Sequence, residues 1–403
     1  MTGFERSGLN NTYLQPLTNE ELSRIHLSSM KVLGKTGILV YDEEILELLS
    51  IAGCEVDKAK NLVRIPEKIV EEAIDKAPGM ITLCGRDEEK DMHLGDGKLY
   101  VRTPGGATRF LDFETQEVRD ATRDDLINCI RVADALPNIH GISMFQVVPR
   151  DVPIEMVDIY AAEASFRNTE KHHFYVCHND ECIEDVVKMA ACVVGGEEAL
   201  KKRPIISALC EATAPLRLVE HQMKVLKTFA KQGLPLMLHS HPIAGFTSPV
   251  TLGGELVVTN AEVLSLVVVS QLVHPHTPVV YGMSSSIPDM RTGLNLAGAV
   301  EIGLMGAAVA QLARHYCFPC SMTSGIDSEI PDAEATMERI MTALPPILAG
   351  IDLLNVSTLN TKLYFSLEQL VIDNEIISWI ERYLQGIKID EESLAVDLIH
   401  DVG

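Results

Sequence analysis

The sequence predicts a (β/α)8 barrel behind a helical N-terminal extension, and three observations point there. From Leu99 onward a short apolar run followed by a longer helical pattern recurs eight times, with runs near 99–103, 141–147, 173–178, 204–210, 235–240, 278–283, 318–323 and 352–357. The helical partners begin near Asp124, Pro153, Glu181, Pro215, Asn260, Asn295, Ala333 and Tyr364. Eight alternating units close most economically into a barrel of parallel strands. The rival open, doubly wound sheet lacks a signature, because no Gly-x-Gly-x-x-Gly follows any strand.

Before the first unit the pattern is helical. Thr18 and Glu21 form a capping box ahead of Leu22, Ile25, Leu27, Met30 and Leu33 at helical spacing. A second helix is expected from Asp42 to Ala52 and a third from Pro66 to Ala77, with proline at a favourable first position. These observations divide the chain into a helical extension over residues 1–84 and a barrel over 85–403. Within the barrel, Thr213 and Pro215 are expected to open the fourth helix, with Leu216, Val219, Met223, Leu226 and Phe229 as its stripe and Gly233 as its stop. The stretch from Ser240 to Asn260 reads as a long Gly/Pro/Thr-rich loop of the kind that serves a site.

Composition narrows the functional classes. The 403 residues carry 34 Lys and Arg against 57 Asp and Glu, a formal charge of −23, with the acids scattered along the chain. That charge argues against nucleic acid or an anionic membrane as partner. Nine cysteines, an odd number without framework spacing, fit a reducing cytoplasm. The N-terminus shows no apolar stretch of signal-peptide length. Residues 292–311 are apolar but carry Glu301 and several small residues, so they read as a buried helix, one that offers a face at 294–313 to a second subunit.

In such a barrel, chemistry sits at the carboxyl ends of the strands. Those ends read Thr103–Gly106, Gln146, His178–Asn179, Cys210–Glu211, His239–Ser240–His241, Gly282–Ser284, Thr323–Gly325 and Ser357. Glu211 closes a buried apolar strand, where a carboxylate is expensive unless a cation or donor meets it. It is therefore a candidate catalytic residue; the structural alternative is an ion-pair member. His178 ends a strand of its own, whereas His172 and His173 begin it on the opposite side. Strand alternation puts Met237, His239 and His241 on one face, so the two imidazoles are candidate metal ligands or donors to an anionic substrate group. Asp327 and Glu329 lie too near the seventh strand to be explained by helix capping alone. Arg291, in "DMRTG", is either an anion clamp or a loop tie. Cys317-Phe-Pro-Cys320 has CxxC spacing but begins a strand, which favours a structural role.

Assembled in order, these motifs resemble the trimethylamine methyltransferase-like family, the corrinoid-dependent methylamine and betaine methyltransferases. The resemblance is carried by "LTNEELSRIHLSSMKVLGKTGILVYDEEILELLSIAGCEVD" and "VRIPEKIVEEAIDKAP", then by "GFTSPVTLGGELVVTNAEVLSLVVVSQLVHPHTPVVYG", "DMRTG" and "SGIDSEIPDAEA". It implies a TIM barrel that moves a methyl group from a methylated amine to the Co(I) of cobalamin held by a separate corrinoid protein, with no tightly bound cofactor or metal of its own. The pyrrolysine of trimethylamine-specific members aligns with Ser328-Glu329-Ile330, where only ordinary residues stand. The resemblance therefore points to a quaternary amine such as glycine betaine. It also leads us to expect a C-terminal tail after Gly403 that this chain does not carry. On this reading Glu211, Asp327 and Glu329 are the catalytic candidates, with Tyr175, Phe145 or Tyr281 beside the ammonium. Gln146, His178, His239, His241 and Arg291 are substrate-binding candidates. A zinc-dependent barrel enzyme and a non-catalytic binding protein for betaine-like cations are the alternatives.

Overall fold

The computed structural model describes residues 3–9, 12–356 and 358–403. Eight parallel strands close in chain order: β1 (Tyr100–Arg102), β2 (Gly141–Ser143), β3 (His172–Tyr175), β4 (Ile206–Ala212), β5 (Leu236–Ser240), β6 (Val279–Met283), β7 (Cys320–Thr323) and β8 (Leu353–Asn355). The last strand returns to the first, with Asn355 opposite Arg102. Each strand overlaps its predicted run. Ser357, expected to end the eighth, lies outside the described residues.

Three helices precede the barrel: α1 (Asn19–Lys31), α2 (Glu43–Ile51) and α3 (Glu67–Lys76). The Thr18–Glu21 capping box forms as expected, and Asp42 caps α2. Between them the extension adds short strands at Ile38–Val40, Glu55–Asp57 and Leu62–Arg64. Arg217 and Leu218, from the loop after β4, pair in parallel with Leu39 and Val40. That pairing changes the fourth helical unit: residues up to Leu218 are drawn into the N-terminal sheet, and the helix begins at Glu220 rather than near Pro215.

The outer layer is α4 (Arg123–Ala135), α5 (Val157–Asn168), α6 (Ile183–Val194) with the short α7 (Glu197–Lys202), α8 (Glu220–Lys231), α9 (Leu252–Val273), α10 (Val300–His315), α11 (Ala333–Leu348) and α12 (Leu367–Gln385). Two short helices follow, α13 (Glu391–Leu394) and α14 (Val396–Val402). The fifth unit also departs from expectation, because α9 starts at Leu252, capped by the Thr251 hydroxyl on the Gly254 N–H, and not at Asn260. Gly253 and Gly254 look like loop residues in the sequence, yet they form its first turn.

Helix α9 is apolar on nearly every side, and a helix of that kind must be covered all round. The barrel covers one side, and α1, α2 and α3 cover the other. Among the described residues it is the one helix long and apolar enough to cross a membrane by length and composition, and 78% of its apolar window is buried inside the protein. It serves here as the core helix that joins the extension to the barrel.

The barrel's interior is closed at its lower end by an antiparallel hairpin, Ile81–Leu83 with Met92–Leu94. Their side chains cluster with inward residues Tyr100, Phe174, Met237, Val280 and Leu353. The hairpin straddles residue 84, where the extension was expected to end. A second apolar layer lies between strands and helices and includes Tyr175, Cys210, Leu238, Tyr281 and Cys320. Alternation along each strand separates the two layers.

One buried ion pair ties α11 and α12 to the end of β7. Arg339 donates from Nε to Asp373 at 2.9 Å and from Nη1 to the Ser324 hydroxyl at 2.8 Å, with both charged side chains fully buried. Removing one partner leaves the other uncompensated, so Arg339→Ala should lower unfolding free energy by about 3–5 kcal/mol. Urea denaturation checks this, and a loss well under ~1 kcal/mol would show the pair to be dispensable.

Candidate active site

Parallel pairing places inward residues side by side. Glu211 lies opposite His239, His239 opposite Gly282, and Gly282 opposite Ser321. One level higher, Thr323 lies opposite Asn355 and Asn355 opposite Arg102. These positions form a polar tier above the apolar floor.

His239 is fully buried and holds the tier together. Its Nε2 reaches across β6 to the Ser321 hydroxyl at 2.6 Å, and its Nδ1 lies 3.0 Å from the Ser284 hydroxyl. The absence of a side chain at Gly282 permits that crossing, because a Cβ there would overlap the imidazole. Ser284 also lies close enough to Glu211 to favour its charged form. With both ring nitrogens on hydroxyls the ring needs no second proton, since one nitrogen can donate to one serine while the other accepts from its partner. The neutral ring agrees with the direction of its pKa, held well below the usual value by burial and then by Arg102, Lys362 and His241. Thr323 and Asn355 extend the network, with Asn355 Nδ2 donating to Thr323 at 2.9 Å and Thr323 lying 3.3 Å from Ser284.

Two cations face this tier. The Arg102 guanidinium lies over the Phe174 ring at 4.3 Å and is 2% exposed. Burial pushes its pKa down to about 9, against the pull of Glu211, so it remains charged at neutral pH. Lys362, in the loop after β8, donates to the Ser284 carbonyl at 3.3 Å, and burial lowers its pKa against the same pull of Glu211. Burial raises the Glu211 pKa, opposed by Lys362, Ser284 and Arg102 in that order. His241, next along from β5, is held down to about 3 by burial and by Lys362. One carboxylate therefore lies in the field of two cations among neutral histidines.

The structure brings together only part of the predicted set. Glu211, His239 and His241 meet as described. Tyr175 and Tyr281 do not join them, because each is one residue out of phase with the inward positions. The Tyr281 hydroxyl donates to Asn260 on α9 at 2.9 Å, and the Tyr175 hydroxyl donates to Asp158 on α5 at 2.6 Å. His178 packs against Phe145, ring centroids 4.2 Å apart, with Nδ1 at 3.1 Å from the Val176 carbonyl. Gln146, in the turn after β2, is fully buried with neither amide atom partnered, as is the Ser143 hydroxyl. Arg291 is 92% exposed beside Asp289, and Glu329 faces solvent. Asp327 lies outside the tier and accepts from the Ala297 and Gly298 N–H groups at 2.7 and 2.9 Å.

Sequence reasoning missed Arg102 and Lys362. Arg102 carried a legible signal, since it ends an apolar strand and the argument applied to Glu211 applies equally to a lone cation. Lys362 carried none. Among the described residues no group of three or more His, Cys, Asp or Glu is placed to hold a metal ion, and both His239 nitrogens are already engaged.

The loops around the tier expose large apolar side chains among their polar ones. Phe113, Ile154, Phe246, Met290, Ile330 and Leu363, from the loops after β1, β2, β5, β6, β7 and β8, are each exposed by 47% or more. Below them, Ser285 ties the 241–251 loop to α9, bonding the Pro242 carbonyl and the Glu255 carboxylate.

A charged tier at the carboxyl end of a closed eight-stranded parallel barrel places the chain among the TIM-barrel proteins. The chain belongs to the trimethylamine methyltransferase (MTTB) family, whose model matches residues 6–403. It is 37% identical over 392 residues to trimethylamine methyltransferase MttB of Desulfitobacterium hafniense (strain DSM 10664 / DCB-2), covering 97% of this chain and 79% of that protein. It is 36% identical over 412 residues to the Methanosarcina thermophila protein of the same name, covering 100% and 84%. It is 32% identical over 391 residues to the glycine betaine methyltransferase of Desulfitobacterium hafniense (strain Y51), covering 96% and 81%. The fold is shared with monomethylamine methyltransferase of Methanosarcina barkeri at a TM-score of 0.56 and 12% identity, covering 95% and 84% of the two chains. The protein is thus a member of the methylamine and betaine methyltransferases.

Glu255 supplies a test of the mouth. It is fully buried, and burial raises its pKa from 4.5 to about 7, partly offset by the Ser285 bond. The folded state therefore holds an extra proton between those values, and stability should fall as pH rises from 4.5 to 7, by on the order of 3 kcal/mol. Glu255→Gln should flatten that slope in denaturation curves taken across the window. An unchanged slope would remove Glu255 as its source.

Proposed function

We propose that the protein transfers a methyl group from a quaternary ammonium zwitterion, of the glycine betaine kind, to the Co(I) of a corrinoid carried by a partner protein. The observation that carries this reading is the charge of the tier. A bare cation such as trimethylammonium would meet two cations and one carboxylate, an unfavourable balance. A zwitterion matches it, with the substrate carboxylate directed to Arg102 and Lys362 and the quaternary nitrogen to Glu211. The relatives named above act, by their names, on trimethylamine and on glycine betaine, and the tier favours the second. Ser328-Glu329-Ile330 agrees, since Glu329 and Ile330 face outward and Ser328 bonds Asp332 and the Ile330 carbonyl.

The chemistry asks for orientation rather than proton transfer. The corrinoid, a co-substrate, supplies the nucleophile; the methyl carbon gains a bond to cobalt as the C–N bond breaks, and the electron pair stays on nitrogen as a neutral tertiary amine. No proton is required. Positive charge on nitrogen disappears along this path, so a bare carboxylate beside it would hold the ground state more firmly than the transition state. Lys362 and Arg102 temper Glu211 in that respect, leaving it to orient the ammonium while the docked acceptor closes the mouth over the reacting carbon. The large apolar side chains that the loops expose suit an acceptor delivered by another protein and favour this reading over a binding protein that closes around its ligand.

The test is methyl transfer to a Co(I) corrinoid protein, followed by the cobalt spectrum, with glycine betaine, choline and trimethylamine as donors. Glycine betaine should be the best donor, and Glu211→Gln should lower its kcat/KM by about 10–100-fold with little change in melting temperature. Equal use of the donors without a carboxylate would overturn the zwitterion reading. Binding of betaine without cobalt methylation would favour the binding protein.

A further inference from the structure

We propose that Lys362 is the specificity-determining residue for the substrate's anionic end, and that Asp327 positions it through Thr361. The inference rests on the zwitterion reading above and adds the device that sets it. Asn360, Thr361 and Lys362 have φ values of 45°, 50° and 74°. Three consecutive non-glycine residues in the left-handed region are costly, the β-branched Thr361 above all. Such a turn persists only where its surroundings over-determine it.

The surroundings do so through one carboxylate. The Thr361 hydroxyl lies 2.8 Å from Asp327 Oδ1 and 2.8 Å from the Asn295 carbonyl. The same Asp327 holds the Ala297 and Gly298 N–H groups, while the Thr361 and Asn360 N–H groups donate to the Ile326 and Ser328 carbonyls at 2.9 Å each. Glu338 on α11 fixes the carboxylate's own backbone, accepting from the Asp327 and Ser328 N–H groups at 2.8 and 3.1 Å. On the far side, the Leu363 carbonyl accepts from the Thr108 and Arg109 N–H groups at 3.1 Å. The loops after β1, β6, β7 and β8 are thus joined around a turn whose last residue directs its ammonium group to the Ser284 carbonyl, within electrostatic reach of Glu211.

This arrangement gives the lysine side chain a fixed origin. In the substrate-free protein its charge is matched by Glu211. A zwitterion entering between them exchanges that pair for two: carboxylate to Lys362, ammonium to Glu211. The separation of the two protein charges then selects the separation of the two substrate charges. Asp327 touches no substrate in this scheme, and its place in the sequence next to the strand end reflects the turn it holds.

The experiment measures binding of glycine betaine and of choline, which keeps the ammonium group and replaces the carboxylate with a hydroxyl, by calorimetry without acceptor protein. Wild type is compared with Lys362→Met, Lys362→Arg, Asp327→Asn and Thr361→Val, and donor turnover is measured alongside. The wild type should prefer betaine, and Lys362→Met should reduce the betaine-to-choline affinity ratio by about 10-fold or more. Lys362→Arg should recover part of it. Asp327→Asn and Thr361→Val should shift the same ratio in the same direction, with a raised KM for betaine and a smaller change in kcat. A merely structural role would lower stability and leave the ratio alone, and Thr361→Val guards against a poorly folded Asp327 variant. A wild-type preference that survives Lys362→Met would overturn this inference while leaving the proposed function standing. A wild type that binds neither compound would overturn both.

Discussion

Closure of eight short parallel strands is the constraint on which the rest of this protein depends. Closing the sheet removes its edges and forces every second side chain into one enclosed space. That space can be filled with apolar groups only where something covers it, and the hairpin at Ile81–Leu94 covers the lower end. At the upper end the loops leave a mouth, and there the inward positions become Glu211, His239, Ser321, Thr323, Asn355 and Arg102. Polarity within the barrel thus follows from which end is sealed.

Charges in that upper tier are held by reciprocity. Glu211 alone would be a strained acid in an apolar barrel, and Arg102 or Lys362 alone would be strained cations, because burial opposes the charged form of each. Each lessens the cost of the others. The neutral histidines add hydrogen bonds without adding charge. On the proposed reading, a ligand with both signs of charge replaces interactions within the protein by protein–ligand pairs at little electrostatic loss.

The fold was legible for reasons of periodicity. Eight apolar runs and eight helical stripes repeat along the chain, and the strands overlap the predicted runs. The two misplaced helix starts have tertiary causes. Leu216 to Leu218 has a helical pattern but is captured by the strand at Ile38–Val40, and the Gly253–Gly254 pair looks like a loop but starts a helix packed on all sides. The candidate site was legible in part. Glu211, His239 and His241 announced themselves as polar groups closing apolar strands, and Arg102 bore the same mark. Tyr175 and Tyr281 have the chemistry to face an ammonium, but a shift of one residue in a strand exchanges the barrel interior for the helix layer, where both hydroxyls are bonded.

By itself the sequence determined the barrel, the count of its units and the end of it where polar groups collect, because hydrophobic period and strand-end composition are local properties. The tertiary structure decided the rest. It chose which face each aromatic takes, and it placed Lys362 beside Glu211, 151 positions away in the chain, by closing β8 onto β1. It also joined Asp327 to the Thr361 hydroxyl and to the Ala297 and Gly298 N–H groups. Such pairings depend on barrel closure and on a backbone conformation that no local pattern encodes, so the electrostatic partner of the most conspicuous carboxylate could be learned only from the folded chain.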